Sequence, residues 1–250
     1  MKTTSTLLTA AALSAGLFLA TSNANANLID QGATVYDTGL GISWLKNANL
    51  AATDTFGVSG ILSGGYMMSW NTAIQWIGAM NSADYLGYSN WRLPTTAPIN
   101  GSTFNYNNNY NGTTDVGYNI SAPGTAYAGA TGSELAYMYY NDLGLKGSIN
   151  PDGTYNPNSG IYGNGMYGGQ ANVGPFQNLQ SSVYFSGTEY APGSNTAWGF
   201  DPSYGYQENS SSYGYAWAVH PGDVAAVPEP GTLGLLAIGL VGLGLARRRG

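Results

Sequence analysis

Sixteen residues near the C-terminus set the outer limit on what this chain can fold into. Gly231 to Ala246 carries no charge and is rich in Leu, Gly, Ala and Ile. It follows Val227-Pro228-Glu229-Pro230 and is closed by Arg247-Arg248-Arg249. As a helix it measures roughly 24 Å at about 1.5 Å per residue, slightly short of a hydrocarbon core of roughly 30 Å. The arginines behind it hold the C-terminus on the cytoplasmic side of a membrane. A run of this kind makes no water-facing surface, so any water-soluble fold must be built ahead of Val227.

The other end has the form of an export signal. Lys2 supplies a positive start, Leu7 to Ala20 an apolar stretch, and Ala24-Asn25-Ala26 a cleavage site before Asn27. Residues 1–26 are therefore expected to leave the chain through signal peptidase. The order at the C-terminus, Val227-Pro228-Glu229-Pro230, apolar span and Arg247 to Arg249, resembles the PEP-CTERM sorting signal of Gram-negative bacteria. That resemblance implies an exosortase-type membrane protease as partner, transient anchoring in the inner membrane as precursor, and a surface or extracellular product ending near Pro228. An ordinary membrane anchor has the same span and lacks the motif. The segment between, residues 27–226, is long enough for one domain of ordinary to large size.

Between Asn27 and Val227 only Lys46, Arg92 and Lys146 are basic, against twelve acidic residues, a net charge of about −9. Such a surface repels phosphate backbones and excludes nucleic acid as a partner. The 20 Tyr and 6 Trp of the chain argue for a packed core despite its high glycine and asparagine content. Cysteine is absent, so the core must hold without disulfides, and thiol chemistry and cysteine-based zinc sites are excluded.

Ala33 to Trp44 reads as a hairpin turning through Asp37-Thr38-Gly39. Asn47 to Gly65, small and polar with several glycines, reads as a loop or insertion. Ser69 is placed to cap a helix running to about Met80, with Trp70, Ala73, Ile74, Ile77 and Met80 on its buried face. Pro98 to Ala130, poor in large aliphatics, reads as a long surface insertion. A second helix is expected after Ser133, carrying Leu135, Met138, Tyr139 and Leu143 and stopped by Gly144. Lys146 to Gly174 is expected to be irregular, and strands are expected at Ser182–Phe185, Ala197–Phe200 and Tyr215–Val219. Two helices with short antiparallel strands and long Gly/Asn-rich loops define an α+β class.

Four segments in order resemble the Lcl C-terminal-like domain of exported bacterial proteins. They are Tyr36 to Leu45, Trp70-Asn71-Thr72-Ala73, Asn90-Trp91-Arg92-Leu93-Pro94-Thr95, and Gly187-Thr188-Glu189-Tyr190 through Ala197-Trp198 to Tyr215–Val219. Where the family's last strand commonly ends in arginine, this chain has His220. The resemblance implies a fold of the C-type-lectin and formylglycine-generating kind, and a role in adhesion or glycan contact rather than catalysis.

Trp91, Arg92, Leu93 and Pro94 have a physical reading of their own. Pro94 restrains Leu93 to extended backbone. Arg92 is expected to tie carbonyls or an acid such as Glu134 or Glu189 beneath the surface, in preference to binding an anion. No catalytic residue, cofactor or metal site is expected. His220 is the sole histidine, Gly-x-Ser-x-Gly is absent, and no spacing among Glu134, Glu189, Glu208 and the aspartates selects a hydrolytic pair. Asn150 to Asn156 lacks the acids of a calcium loop and reads as an Asx-rich turn.

What remains is an aromatic and amide-rich surface. Sugar rings stack on aromatics while amides bond their hydroxyls, so Tyr106, Tyr110, Tyr118, Tyr162, Tyr167, Tyr204 and Tyr206 are the candidate glycan contacts. The expected function is a surface or biofilm-matrix protein that binds extracellular polysaccharide. The alternatives are a self-associating matrix protein and, third, a glycoside hydrolase.

Overall fold

The computed structural model describes residues 27–62, 67–161, 173–192, 195–210 and 213–222. The expected signal peptide (1–26), the sorting motif Val227 to Pro230, Arg247 to Arg249, Tyr162 and Tyr167 lie outside the described residues. Among the described residues no helix is long and apolar enough to cross a membrane.

The strands, in chain order, are β1 (Leu28–Asp30), β2 (Thr34–Asp37), β3 (Ile42–Leu45), β4 (Asn108–Asn109), β5 (Val116–Tyr118), β6 (Tyr184–Glu189), β7 (Ala197–Asp201), β8 (Tyr206–Ser210) and β9 (Val219–Pro221). Helix α1 spans Trp70–Ser82, and α2 spans Glu134–Tyr137 and widens into a π-helical turn over Met138–Asp142. They form a four-stranded antiparallel sheet, β1-β2-β3-β9, and a five-stranded sheet, β4-β5-β8-β7-β6, antiparallel except for the β4–β5 pair. The α+β class is therefore observed.

The β2–β3 hairpin forms where Asp37 Oδ1 accepts the backbone N–H of Gly39 at 2.9 Å and of Leu40 at 3.0 Å. β9 then pairs with β3, Ser43 opposite His220 and Trp44 opposite Val219, so the first and last parts of the domain share one sheet. Trp217 fills the space between the sheets. Its ring lies 4.6 Å from Trp44 and 5.7 Å from Tyr184, and its indole N–H donates to Leu45 O at 2.7 Å.

Helix α1 begins as expected, with Ser69 Oγ accepting the N–H of Thr72 at 3.2 Å. Its buried stripe is rotated from the expected one. Ile74 is 45% exposed, whereas Trp76 is fully buried with its indole donating to Asp54 O at 2.9 Å. The cause is residues 47–62, part of the segment expected as a loop or insertion. Its Leu50–Ala52 turn is part of the core, and Phe56 packs on Trp76, so burial extends to the side of the helix that this segment covers.

Pro98 to Ala130 is not a surface insertion throughout: it supplies β4 and β5 and buries Ile99 and Ile120. Hydrogen bonds do there what aliphatic side chains do elsewhere. The buried Asp115 carboxylate accepts the N–H groups of Ile99 and Asn105, each at 2.7 Å, and Gln207 Nε2 donates to Asp115 O at 2.8 Å. That last bond ties the segment to β8, which has no apolar alternation yet lies in the middle of its sheet. The expected Tyr215–Val219 strand is displaced. Tyr215 only bridges to Tyr184, and ladder pairing begins at Val219, because the chain crosses there from one sheet to the other.

The second helix follows the expected caps, with Ser133 Oγ accepting the N–H of Ala136 at 3.3 Å and Gly144 in the left-handed region at φ +62°. Its widened turn carries Asp142 inward to 1% exposure.

Candidate functional site

Arg92 sits on an extended segment bridged to β9, its backbone N–H donating to Val219 O at 2.8 Å. Its guanidinium closes two parallel bonds to Glu134, Nη1–Oε2 and Nη2–Oε1, both 2.7 Å, and Nη1 also donates to Leu93 O at 3.1 Å. Glu134 Oε2 takes a further bond from Thr95 N at 2.7 Å. Of the two acids named for Arg92, Glu134 is its partner; Glu189 instead accepts Asn195 N at 3.3 Å. Trp91 is buried against Tyr85 and Tyr88, its indole donating to Tyr85 O at 3.0 Å. Leu93 is buried, and Pro94 O accepts Gly187 N at 2.7 Å. His220 is 1% exposed, stacked on Tyr88 at 3.9 Å and edge-on to Trp91 at 4.6 Å. These residues hold β9, α2 and the helix-to-strand connection together.

The candidate tyrosines divide into two places. Tyr106 is 45% exposed and lies 5.8 Å from the buried Trp198 with nearly parallel rings. Phe104 and Tyr190 complete the cover over Trp198, at 4.8 and 4.5 Å, and the Tyr106 hydroxyl donates to Tyr190 O at 3.2 Å. Beneath that cover Trp198 Nε1 has no hydrogen-bond partner among the described residues. Two residues along, Asn108 Nδ2 donates to the Tyr206 hydroxyl at 3.0 Å, and Tyr206 packs on Tyr118 at 4.7 Å. Tyr106, Asn108, Tyr206 and Tyr118 thus form one strip along β4, β5 and β8. Trp198, Phe104 and Tyr190, which support the strip, were not among the sequence candidates; the Asn-rich composition around Tyr106 hid a contact made with strands almost a hundred residues away.

Acidic groups flank the strip. Burial, then Asp201, pushes the Glu208 carboxyl above its ordinary range, and burial does the same for Asp201. The Tyr206 phenol is raised chiefly by burial, with Glu208, Tyr118 and Tyr190 adding to it.

Tyr110 and Tyr204 lie elsewhere. Tyr110 is placed against Gly153 in the turn after Asn150, and Tyr204 O accepts Ser148 N at 2.8 Å. Beside them opens a cleft of about 300 Å³ lined by Asn119, Tyr140, Lys146, Asn150 and Pro151. Lys46 pairs with Asp30 at 2.6 Å and Arg92 with Glu134, whereas Lys146 has no ion pair among the described residues. In the neighbouring turn Asp152 Oδ1 accepts the Thr154 N–H at 2.9 Å and its hydroxyl at 2.6 Å, the geometry of an Asx turn. Among the described residues no group of three or more metal-ligating side chains exists.

The fold and these contacts define an α+β domain with an aromatic surface strip and an internal Arg–Glu clasp. The chain belongs to the Lcl C-terminal domain family, whose model matches residues 33–220. A second model, the PEP-CTERM protein-sorting motif, matches residues 226–249, which makes this an exported protein processed by exosortase and sorted to the cell surface of a Gram-negative bacterium. No curated protein and no solved structure matches the chain.

Proposed function

We propose that the domain binds extracellular polysaccharide through the strip Tyr106–Asn108–Tyr206–Tyr118, and that it does so without catalysis. The observation that carries this reading is the half-exposed Tyr106 ring laid parallel over a buried Trp198 and joined through Asn108 to a second tyrosine pair. A ring held from below keeps its face in place and loses little freedom when a sugar stacks on it. Asn108, Glu208 and the phenols supply hydrogen-bond groups for sugar hydroxyls. The expected kinship with lectin-like and formylglycine-generating folds has no solved structure behind it and carries no part of the reading. Before sorting, the precursor is held in the inner membrane by the apolar C-terminal run, and signal peptidase frees its N-terminus at Asn27.

The test is retention of purified extracellular polysaccharide by the wild-type protein and by Tyr106→Ala and Tyr206→Ala. Loss of retention with unchanged melting supports the reading. Assembly of the protein without any glycan retention favours a self-associating matrix component. Release of reducing ends, lost in Glu208→Gln, favours a hydrolase.

A further inference from the structure

Asp37, Asp115 and Asp142 are the three least exposed acids among the described residues, and Asp37 and Asp142 face one another. Asp37 is well supplied with donors: Gly39 N, Leu40 N and the Trp44 indole at 3.3 Å. Asp142 is not. Its Oδ1 accepts one bond, from Asn27 Nδ2 at 3.2 Å, no donor among the described residues reaches its Oδ2, and its remaining contact is the hydrogen bond that the two carboxyls share. Among the described residues no cation is within range: the other titratable group facing the pair is the phenol of Tyr137, itself raised by burial and by both carboxylates. Burial and the Asp37 charge push Asp142 up to about 8. A domain with twelve acids and three cations has placed two acids in its interior with no cation beside them among the described residues.

Asn27, which reaches Asp142, is the first residue after the Ala24-Asn25-Ala26 cleavage site. Thr38 N donates to Asn27 O at 2.9 Å, so the residue is fixed at the end of the first sheet's edge strand. Its backbone nitrogen lies only a few bonds from the Nδ2 that already touches the carboxyl. In the precursor that nitrogen is an uncharged amide.

We propose that the Asp37–Asp142 pair is the receiving site for the α-ammonium created at Asn27 by signal cleavage. Water adds across the Ala26–Asn27 amide, leaving a carboxyl on Ala26 and an amino group on Asn27 that takes up a proton. The new cation compensates the buried acids, and the exported form of the domain is more stable than the precursor form. The proposal rests on cleavage after Ala26, and mass spectrometry of the exported protein tests that step by itself.

The experiment compares the chain Asn27–Gly250 with one beginning at Ala24, both in the same mild detergent. At pH 7 the Asn27 chain is expected to melt about 5 °C higher, a shift of the size expected from one ion pair in a domain of this length. A raised carboxyl loses its stabilising contribution as pH climbs toward its folded pKa, and an ammonium with a raised pKa keeps its contribution until pH passes that value. The difference should therefore narrow below about pH 4, where both acids are protonated, and above about pH 9, where the amine is neutral. Nuclear magnetic resonance should place the Asn27 amine at least one pH unit above the roughly 7.7 of a free terminus. With Asp37→Asn and Asp142→Asn together in both chains the melting difference should vanish and the amine should return to its ordinary value. Equal melting of the two wild-type chains at pH 7, an ordinary amine pKa, or an exported chain that begins at another residue overturns the proposal. Should that double variant not fold, the amine titration of the wild-type chain decides.

Discussion

Arg92 and Glu134, 42 residues apart in sequence, close a two-pronged ion pair at 2.7 Å on both arms. Arg92 stands on the segment bridged to β9, and Glu134 is the first residue of α2, so the pair fastens the end of the four-stranded sheet to the helix that covers the other. Glu134 also sits in the first helical turn, where the N-terminal end of the dipole favours negative charge.

Removing this pair should cost stability. Arg92→Ala leaves the largely buried Glu134 with only Thr95 N as donor, at about 3 kcal/mol, the lower end for a buried pair because the Arg92 side chain is 34% exposed. Arg92→Lys keeps the charge and loses the fork, at about 1–2 kcal/mol. Thermal melting of the Asn27–Val227 chain checks both, and unchanged melting in the two variants refutes the structural role.

Gly117 is the closest approach in the strip. It has φ +127°, and a Cβ there would collide with the backbone of Asn109. Gly117→Ala should separate β4 from β5, moving Asn108 away from Tyr206. The expected outcome is weakened polysaccharide retention, with hydrogen exchange accelerated at Asn108–Asn109 and unchanged in α1. Protection unaltered at Asn108–Asn109 would contradict it.

Stability should fall as pH rises from mildly acidic to neutral. Asp115, Asp201 and Glu208 all have folded pKa values raised by burial, so the folded state holds protons that the unfolded chain has released. The loss begins near the unfolded carboxylate values, roughly 3.9 to 4.3, and continues through the raised folded ones. Glu208→Gln should flatten part of this slope in a series of melts from pH 4 to 8. An unchanged slope would mean that Glu208 titrates as it does in the unfolded chain.

Sorting gives a cellular prediction. The PEP-CTERM match covers Glu229, so Glu229→Ala should leave an uncut precursor in the membrane fraction. Equal release of mutant and wild-type protein, read by fractionation and immunoblotting, would reduce the tail to a generic anchor.

Much of the architecture was legible where a local rule operates over a few residues. Ser69 and Ser133 announce their helices because a hydroxyl before a helix satisfies an orphan N–H within three residues. Asp37-Thr38-Gly39 announces its turn for the same reason. Tyr206 to Ser210 was not legible, since a strand whose neighbours are held by Gln207 and Asp115 shows no apolar alternation. Ile74 was read as buried and Trp76 was not singled out, because helical periodicity gives the width of a stripe but not which loop will cover it.

By itself the sequence determined that a sorting tail follows the domain, that its class is α+β, and that Arg92 ties carbonyls or an acid beneath the surface. Those properties follow from composition, spacing and charge, which act along the chain. Tertiary structure alone decided that the acid is Glu134, that Tyr106 rests on Trp198, and that Asp37 and Asp142 meet beside Asn27. Such pairings join residues many tens of positions apart, and their strength comes from burial, which no local pattern records.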